Sequence, residues 1–342
     1  MDVPDYHLPA EAVAQAPVEP RHAARLLVSL DHRQPAGHAH VRDLPDLLTD
    51  GDLLVVNTTK VLPARLRLRK RSGGAAEVFL LEPEGGAGID ATSWTALVRP
   101  GRRLPAGTVL LAPKENGTEE EIVEVGEVTG DGRRRVRFVG PQPVSEVLAE
   151  VGTVPLPPYI HQPLADPGRY QTVYADRPGS VAAPTAGLHL TDEVLAACRA
   201  KGVAVATVDL MVGLGTFRPL KTKTVESHTM HRERYRVPPA TMADCGSARR
   251  VVAVGTTTVR ALESAAATGE LEGDTALYIH GDYPFRVVDV LLTNFHQPRS
   301  SLLVLLEAFY GPGWRKLYGE ALGEGYRFLS FGDAMLVGRR TA

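Results

Sequence analysis

The sequence predicts an α/β protein with a small all-β, barrel-like domain inserted into it. Three observations predict this. Apolar strand signals alternate with amphipathic helix signals over roughly the C-terminal half, the pattern of strands joined by crossover helices. Six short, turn-separated β-rich segments follow one another between residues 65 and 139, with no helix signal among them. A buried-strand signal at 52–57 precedes them, so α/β character stands on both sides of the β-rich stretch. The expected division is a discontinuous α/β domain, 1–65 and 150–342, around an inserted domain, 66–149.

The elements follow in order. ARLLVSLD (24–31) reads as a strand, DLPDLLTDGD (43–52) as a short helix stopped by glycine, and DLLVVN (52–57) as a strand. The β-rich stretch comprises ARLRLRK, AEVFLLE, SWTALVR, GTVLLA, EEIVEVGEV and RRRVRFV. PVSEVLAEVG (143–152) is helical, and VPLPPYIHQPLADPG after it is a proline-rich connection. TDEVLAACRAKG (191–202) has a Thr/Asp start and a Gly stop, and VAVATVDLMV (203–212) is an apolar strand. Residues 251–269 read as strand, tight turn and helix, 287–295 as a strand, and 300–311 as a helix. The sheet is expected to be largely parallel.

Composition bounds the function. The chain has 342 residues, 44% hydrophobic and 23% charged, which excludes extended disorder and suggests about two domains. No apolar run reaches the roughly 18 residues that a membrane helix needs. The opening MDVPDYHLPAE is not a secretory signal. Two cysteines, Cys198 and Cys245, are too few for a disulfide framework or a four-Cys zinc site, so a cytoplasmic setting is expected. Net charge is −2, which excludes a polycation, but the charge is uneven. Lys60, Arg65, Arg67, Arg69, Lys70 and Arg71 form one basic cluster, and Arg133, Arg134, Arg135 and Arg137 a second. They read either as a phosphate-backbone surface or as outward residues of exposed strands.

Six segments can carry chemistry. Gly255-Thr256-Thr257-Thr258 lies where a strand feeds a helix, a place that suits a carboxylate or phosphate, with Arg260 in the first turn as a clamp. Pro184-Thr185-Ala186-Gly187-Leu188-His189 offers an acid or base if His189 faces a cleft. Gly213-Leu214-Gly215-Thr216-Phe217 follows a strand end, where α/β sheets bind ligands. Glu226, His228, His231 and Glu233 form an acid/base cluster or a polar loop; their spacing matches no metal motif. Thr293-Asn294-Phe295-His296 and Phe331-Gly332-Asp333 complete the set.

Taken in order, GDLLVVNTTKVLPARL, PGSVAAPTAGLHL, VGLGTFRPL, ESHTMHRERY, AVGTTTVRALES, VVDVLLTNFHQP and YRFLSFGDAML resemble the S-adenosylmethionine:tRNA ribosyltransferase-isomerase family of queuosine biosynthesis. The resemblance runs from Asp5 to Val337. It implies transfer and isomerisation of the ribosyl part of S-adenosylmethionine onto a 7-aminomethyl-7-deazaguanine base at the tRNA wobble position, with loss of adenine and methionine. It also implies the predicted fold, with no metal and no second cofactor, S-adenosylmethionine being a substrate; a monomer with no membrane association is expected. The catalytic candidates are His189, His228, His231, Glu233, His296 and Asp333. The substrate-binding candidates are Asn57, Thr59, Arg65, Thr185, Gly187, Gly213, Gly215, Thr216, Gly255, Thr256, Thr257, Arg260 and Asn294. Acid and base are not assigned among them. Three departures from the family pattern stand out: Met211 where His is usual, Ala75 where Lys is usual, and His280-Gly281-Asp282 in a segment that is usually YPG-like. His280 is a candidate replacement for the missing imidazole. The same donor chemistry on a small deazapurine or amine acceptor, and a non-catalytic RNA- or nucleoside-binding relative, are the alternatives.

Overall fold

The structure is a computed structural model that describes residues 1–85, 88–113, 118–130, 132–213 and 219–340. The chain divides into two compact units. The larger comprises Met1–Lys60, Pro157–Arg177 and Ala183–Ala342, the smaller Val61–Leu156 and Pro178–Ala182.

The larger unit is built on a nine-stranded sheet. In spatial order its strands are Glu272–Thr275, Glu233–Arg236, Ala204–Leu210, Asp52–Asn57, Arg250–Val254, Val290–Asn294, Ala334–Gly338, Arg25–Ser29 and Gly37–His40. The four strands from Ala204–Leu210 to Val290–Asn294 run parallel. Asp52–Asn57 and Val290–Asn294 are buried at every position, as strands covered on both faces must be. The flanks differ from the expectation of a largely parallel sheet. Glu233–Arg236 and Glu272–Thr275 on one side, and Ala334–Gly338 on the other, pair antiparallel. ERYR and EGDT are four-residue, charge-bearing segments, so they carry no apolar run that marks a strand.

Local chemistry sets the helices. Thr256–Thr268 begins after Gly255 at φ 87° and ends at Gly269 in the left-handed region, both conformations that suit glycine. Thr191 caps Asp192–Ala200 by accepting from Val194 N, and Ser300 caps Ser301–Tyr310 by accepting from Leu303 N. The helix expected over 43–52 is only Leu44–Leu47, preceded by a 3-10 turn. Two helices that the periodicity did not reveal are Pro239–Ser247 and Trp314–Gly323. Leu54, Val56, Val252, Val254, Leu292 and Leu336 line one sheet face and pack against Leu190, Val194, Leu195 and Cys198. Among the described residues, no helix is long and apolar enough to cross a membrane.

The smaller unit is the predicted barrel. Arg65–Lys70, Ala75–Pro83, Ser93–Arg99, Arg133–Phe138, Glu119–Gly130 and Thr108–Pro113 pair antiparallel in that order, and the last pairs back to the first. Closure leaves no free edge among these six strands. Strict alternation drives it: Leu66 and Leu68 are buried, whereas Arg67 and Arg69 stand outside. The second basic run is not uniformly outward. Arg134 shares the inward register of Val136 and Phe138 and donates to the carbonyls of Gly101, Leu104 and Gly126.

Candidate active site at the ends of the parallel strands

In the larger unit, the C-terminal ends of four parallel strands lie side by side: Leu210, Asn57, Val254 and Asn294. Two adjoining cavities of about 30 Å³ each open there. Thr185, Asn294, His296 and Leu302 line both. One adds Val212, Gly255, Thr256 and Thr257; the other adds Tyr159, Leu329 and Ser330. Five predicted residues from three motifs that are distant in sequence thus meet: Thr185, Gly255, Thr256, Thr257 and Asn294, together with the catalytic candidate His296.

Asn294 is the hub. Its Nδ2 donates to Leu329 O (3.3 Å) and lies 3.1 Å from His189 Nε2, and its Oδ1 accepts from Thr185 Oγ1 at 2.8 Å. A carbonyl only accepts, so Nδ2 is the donor here; His189 Nε2 therefore accepts, and its proton sits on Nδ1. Leu329 reaches this position with φ 69°, left-handed backbone that disfavours a side chain, at the wall of a cavity. Burial lowers His189 to about 4, with help from the positive charges of Arg327, Arg169 and Arg21. Burial lowers His296 to about 3. Both imidazoles are neutral at neutral pH, so they can take a proton but hold none in reserve. His296 Nε2 meets Thr293 Oγ1 at 3.0 Å, and its backbone is clamped: Tyr6 OH donates to its carbonyl, and its N–H donates to Tyr318 OH.

Asn57 serves position rather than open recognition. Its Oδ1 accepts from Leu210 N and Thr59 N, and its Nδ2 donates to Leu210 O and Thr257 Oγ1, which uses its full capacity. It ties two strand ends to the helix beginning at Thr256. The third threonine, Thr258, bonds back to Val254 O. Gly187 is a clearance residue: a Cβ there would lie 2.0 Å from Tyr174 OH. The first-turn N–H groups of Thr256 and Thr257 find no acceptor among the described residues, which is the arrangement anions exploit.

Arg260 departs from its expected role as a clamp. It is buried, ion-paired with Glu233, and donates to Leu277 O. Burial lowers it to about 10. Glu233 also accepts from Gly213 N at 2.9 Å, so the pair braces the chain at Gly213, just past the strand Ala204–Leu210. Gly215 and Thr216 lie outside the described residues. Asp333 accepts from the backbone N–H of Arg25 and Arg327, both contacts that fix the chain. His228 and His231 line neither cavity; His231 is exposed, and His228 packs on Tyr278. Glu226 binds the N-terminal ammonium at 2.7 Å. His280 packs on the same tyrosine (4.9 Å between ring centroids) and lines neither cavity. Met211 is half-buried beside cavity-lining Val212. Among the described residues, no group of three or more His, Cys, Asp and Glu can hold a metal ion.

Arg65 and Ala75 belong to the smaller unit. Arg65 lies 4.0 Å from Glu77 and over the Phe79 ring, and Ala75 is exposed. Sequence reading missed Tyr159, Ser330, Arg21 and Arg169. Tyr159, Arg169 and Arg21 sit in proline-rich or N-terminal segments with no strand or helix periodicity, and Ser330 stands inside the YRFLSFGDAML motif, next to the candidate segment Phe331-Gly332-Asp333.

The family model described as "Queuosine biosynthesis protein" matches residues 2–337. A Thermus thermophilus protein named S-adenosylmethionine:tRNA ribosyltransferase-isomerase is 50% identical, covering 97% of this chain and 98% of its own. One of the same name from Moorella thermoacetica is 49% identical over 97% and 98%. The crystal structure of an S-adenosylmethionine tRNA ribosyltransferase from Thermotoga maritima is similar with a TM-score of 0.54 and 37% identity, covering 97% of this chain and 99% of that one.

Proposed function

Because the chain belongs to the queuosine biosynthesis protein family, we propose that it is an S-adenosylmethionine:tRNA ribosyltransferase-isomerase, with the strand-end cavities of the larger unit as its reaction site. Its substrates are S-adenosylmethionine and a tRNA carrying 7-aminomethyl-7-deazaguanine at the wobble position; its products are epoxyqueuosine-tRNA, adenine and methionine. The reading includes a monomer working in the cytoplasm without a resident cofactor.

The observation that carries the mechanism is His296, a neutral imidazole with a backbone clamped on both sides that lines both cavities. A sulfonium acidifies the hydrogens on its neighbouring carbons, and removing one needs an unprotonated base held in a dry place. His296 is unprotonated and buried, with Nε2 beside Thr293 Oγ1; at about 3 it is a weak base, so proton removal requires substrate binding to raise that value toward neutrality. Having taken the proton, it can return one to a leaving group. His189 has its Nε2 occupied by Asn294 and is a positioning residue for the hub. The open N–H groups at Thr256 and Thr257 suit the donor's carboxylate. Asn57 holds the wall at Thr257, and the Glu233–Arg260 pair holds the chain at Gly213, next to cavity-lining Val212.

A second reading keeps the donor and changes the acceptor to a small amine. What favours it is the barrel surface, where Arg71, Arg135 and Arg137 each face a glutamate rather than standing free for phosphates. One assay separates the two: incubate the protein with S-adenosylmethionine and tRNA bearing the aminomethyl base, and follow adenine and the mass of the modified nucleoside. Adenine with epoxyqueuosine is the expected result. Adenine without a tRNA product selects the small acceptor, and no adenine from folded protein removes the enzymatic reading. His296→Gln is expected to lower kcat by at least about 100-fold.

A further inference from the structure

Beside the two reaction cavities lies a third opening, which shares Ser330 with one of them. It is a narrow space of about 10 Å³, room for one water-sized group. Arg21, Arg169, His189 and Ser330 supply its polar lining, and no carboxylate lines it.

The arginines are held with charge left over. Arg21 donates to the carbonyls of Gln171 and Gly168. Arg169 uses Nη2 on Val18 O and pairs Nε with Glu19, yet its Nη1 is buried with no partner. Its side chain is 12% exposed, so that guanidinium edge has lost water and gained nothing in exchange. The acids nearby do not face the opening. Glu19, 64% exposed, pairs with Arg169 Nε, and Asp166 turns its Oδ1 to Gly168 N; both act on Arg21 through space, and neither lines the opening. Arg327, which donates to Ala16 O, adds a third positive charge near His189. A buried, unpaired guanidinium N–H beside a second arginine, in a lining without acids, fits an incoming oxyanion rather than a neutral group.

We propose that Arg169 and Arg21 form an oxyanion subsite next to the reaction cavities, which takes a charged oxygen of one of the two substrates. The inference rests on the function proposed above and adds to it where a substrate's charge is gripped. Two sources share this chemistry: a phosphate of the RNA backbone and the carboxylate of the donor. The phosphate reading makes the subsite an anchor that places the wobble base and leaves the donor's carboxylate to the Thr256 and Thr257 N–H groups; the carboxylate reading makes it a donor clamp in their place.

Arg169→Gln, Arg169→Lys and Glu19→Gln would be compared with the parent enzyme in turnover at several salt concentrations. If the anion is an RNA phosphate, Arg169→Gln raises KM for tRNA by about tenfold and reduces the salt slope by about one, while KM for S-adenosylmethionine stays put. If it is the carboxylate, the two KM effects exchange places and the slope is unchanged. Arg169→Lys restores part of either effect, and Glu19→Gln gives neither. A folded Arg169→Gln enzyme with both KM values unchanged overturns the subsite, as does a loss confined to thermal stability. The parent protein supplies an independent arm, read by its melting temperature in inorganic phosphate against chloride of equal ionic strength. A phosphate-specific rise that Arg169→Gln lacks supports the subsite even if turnover fails and the enzymatic reading falls. No rise in the parent, together with unchanged KM values in Arg169→Gln, overturns the subsite while leaving the enzymatic reading intact.

Discussion

At the strand ends of the larger unit, polar side chains are buried and bonded to residues far away in sequence. Asn57 reaches Thr257, 200 positions on, and Asn294 reaches His189, 105 positions back. On the barrel, arginines stand in water and face glutamates across a strand: Arg137 meets Glu124, Arg71 meets Glu121, and Arg135 meets Glu84. The barrel carries the dense runs of charge that draw the eye in the sequence. The strand ends carry single Asn, Thr and His residues that look bland alone. The difference teaches that desolvation gives a polar group its energetic weight, because water discounts an exposed pair and leaves a buried one at full strength.

The sharpest test of that contrast is the buried Glu233–Arg260 pair. Glu233→Ala leaves a guanidinium that is nine-tenths buried facing no carboxylate, and is expected to cost about 3–5 kcal/mol in urea unfolding. Replacing both partners, Glu233→Gln with Arg260→Met, should recover much of it, because the uncompensated charge is then gone. A loss below about 1 kcal/mol for the single variant would mean that water reaches the pair, and the contrast would collapse.

Acid provides the next test. His189 and His296 sit at about 4 and about 3, below the 6.5 of a free imidazole. Between those values the unfolded chain binds protons that the native chain refuses. The stabilisation is complete above about 6.5 and is lost as pH falls from there to the native values, on the order of 3 kcal/mol for His189 and about 5 kcal/mol for His296. Melting temperature should therefore fall between pH 7 and pH 4, and His296→Gln should flatten that fall. A variant with the parent's pH profile would show that His296 is hydrated and not desolvated.

Asn294→Ala tests the hub. It orphans His189 Nε2, Thr185 Oγ1 and Leu329 O together, at about 1–3 kcal/mol for each group that stays dry. Water entering the space left behind would lower the sum toward a single such term. Turnover should drop more than stability, since two cavities lose a common wall. Full activity in the folded variant would move the reaction elsewhere.

The two regions were not equally legible in the sequence. The barrel was readable because its information is local: alternation in ARLRLRK and SWTALVR sets inside and outside within a few residues. Even there, Arg134 pointed inward, a consequence of register that its charge concealed. In the larger unit, the apolar parallel strands and the helix starts at Thr191, Gly255 and Ser300 were readable for the same reason. The short edge strands Glu233–Arg236 and Glu272–Thr275 were not, because pairing makes them strands and composition does not. The motif loops were visible as motifs, but their assembly was not. Nothing in PTAGLH says that its histidine meets the asparagine of TNFH, and nothing in TTTVR says that its arginine turns away to Glu233. His280, considered as a replacement for the imidazole absent at Met211, lies with Tyr278 instead.

The smallest expected effect belongs to the barrel. Arg137 and Glu124 are an antiparallel cross-strand pair with side chains 57% and 33% exposed. A double-mutant cycle, Arg137→Ala and Glu124→Ala, should return a coupling of about 0.2–1 kcal/mol that shrinks with added salt. The paired arginine is neutralised locally, so Arg137→Ala should leave the salt slope of turnover on tRNA unchanged. A slope that falls by about one would mean that RNA displaces Glu124 and takes its place on Arg137. The neutral face would then belong to the free protein alone. The barrel would join the strand ends as a substrate surface, its weak pairs being what makes the exchange easy.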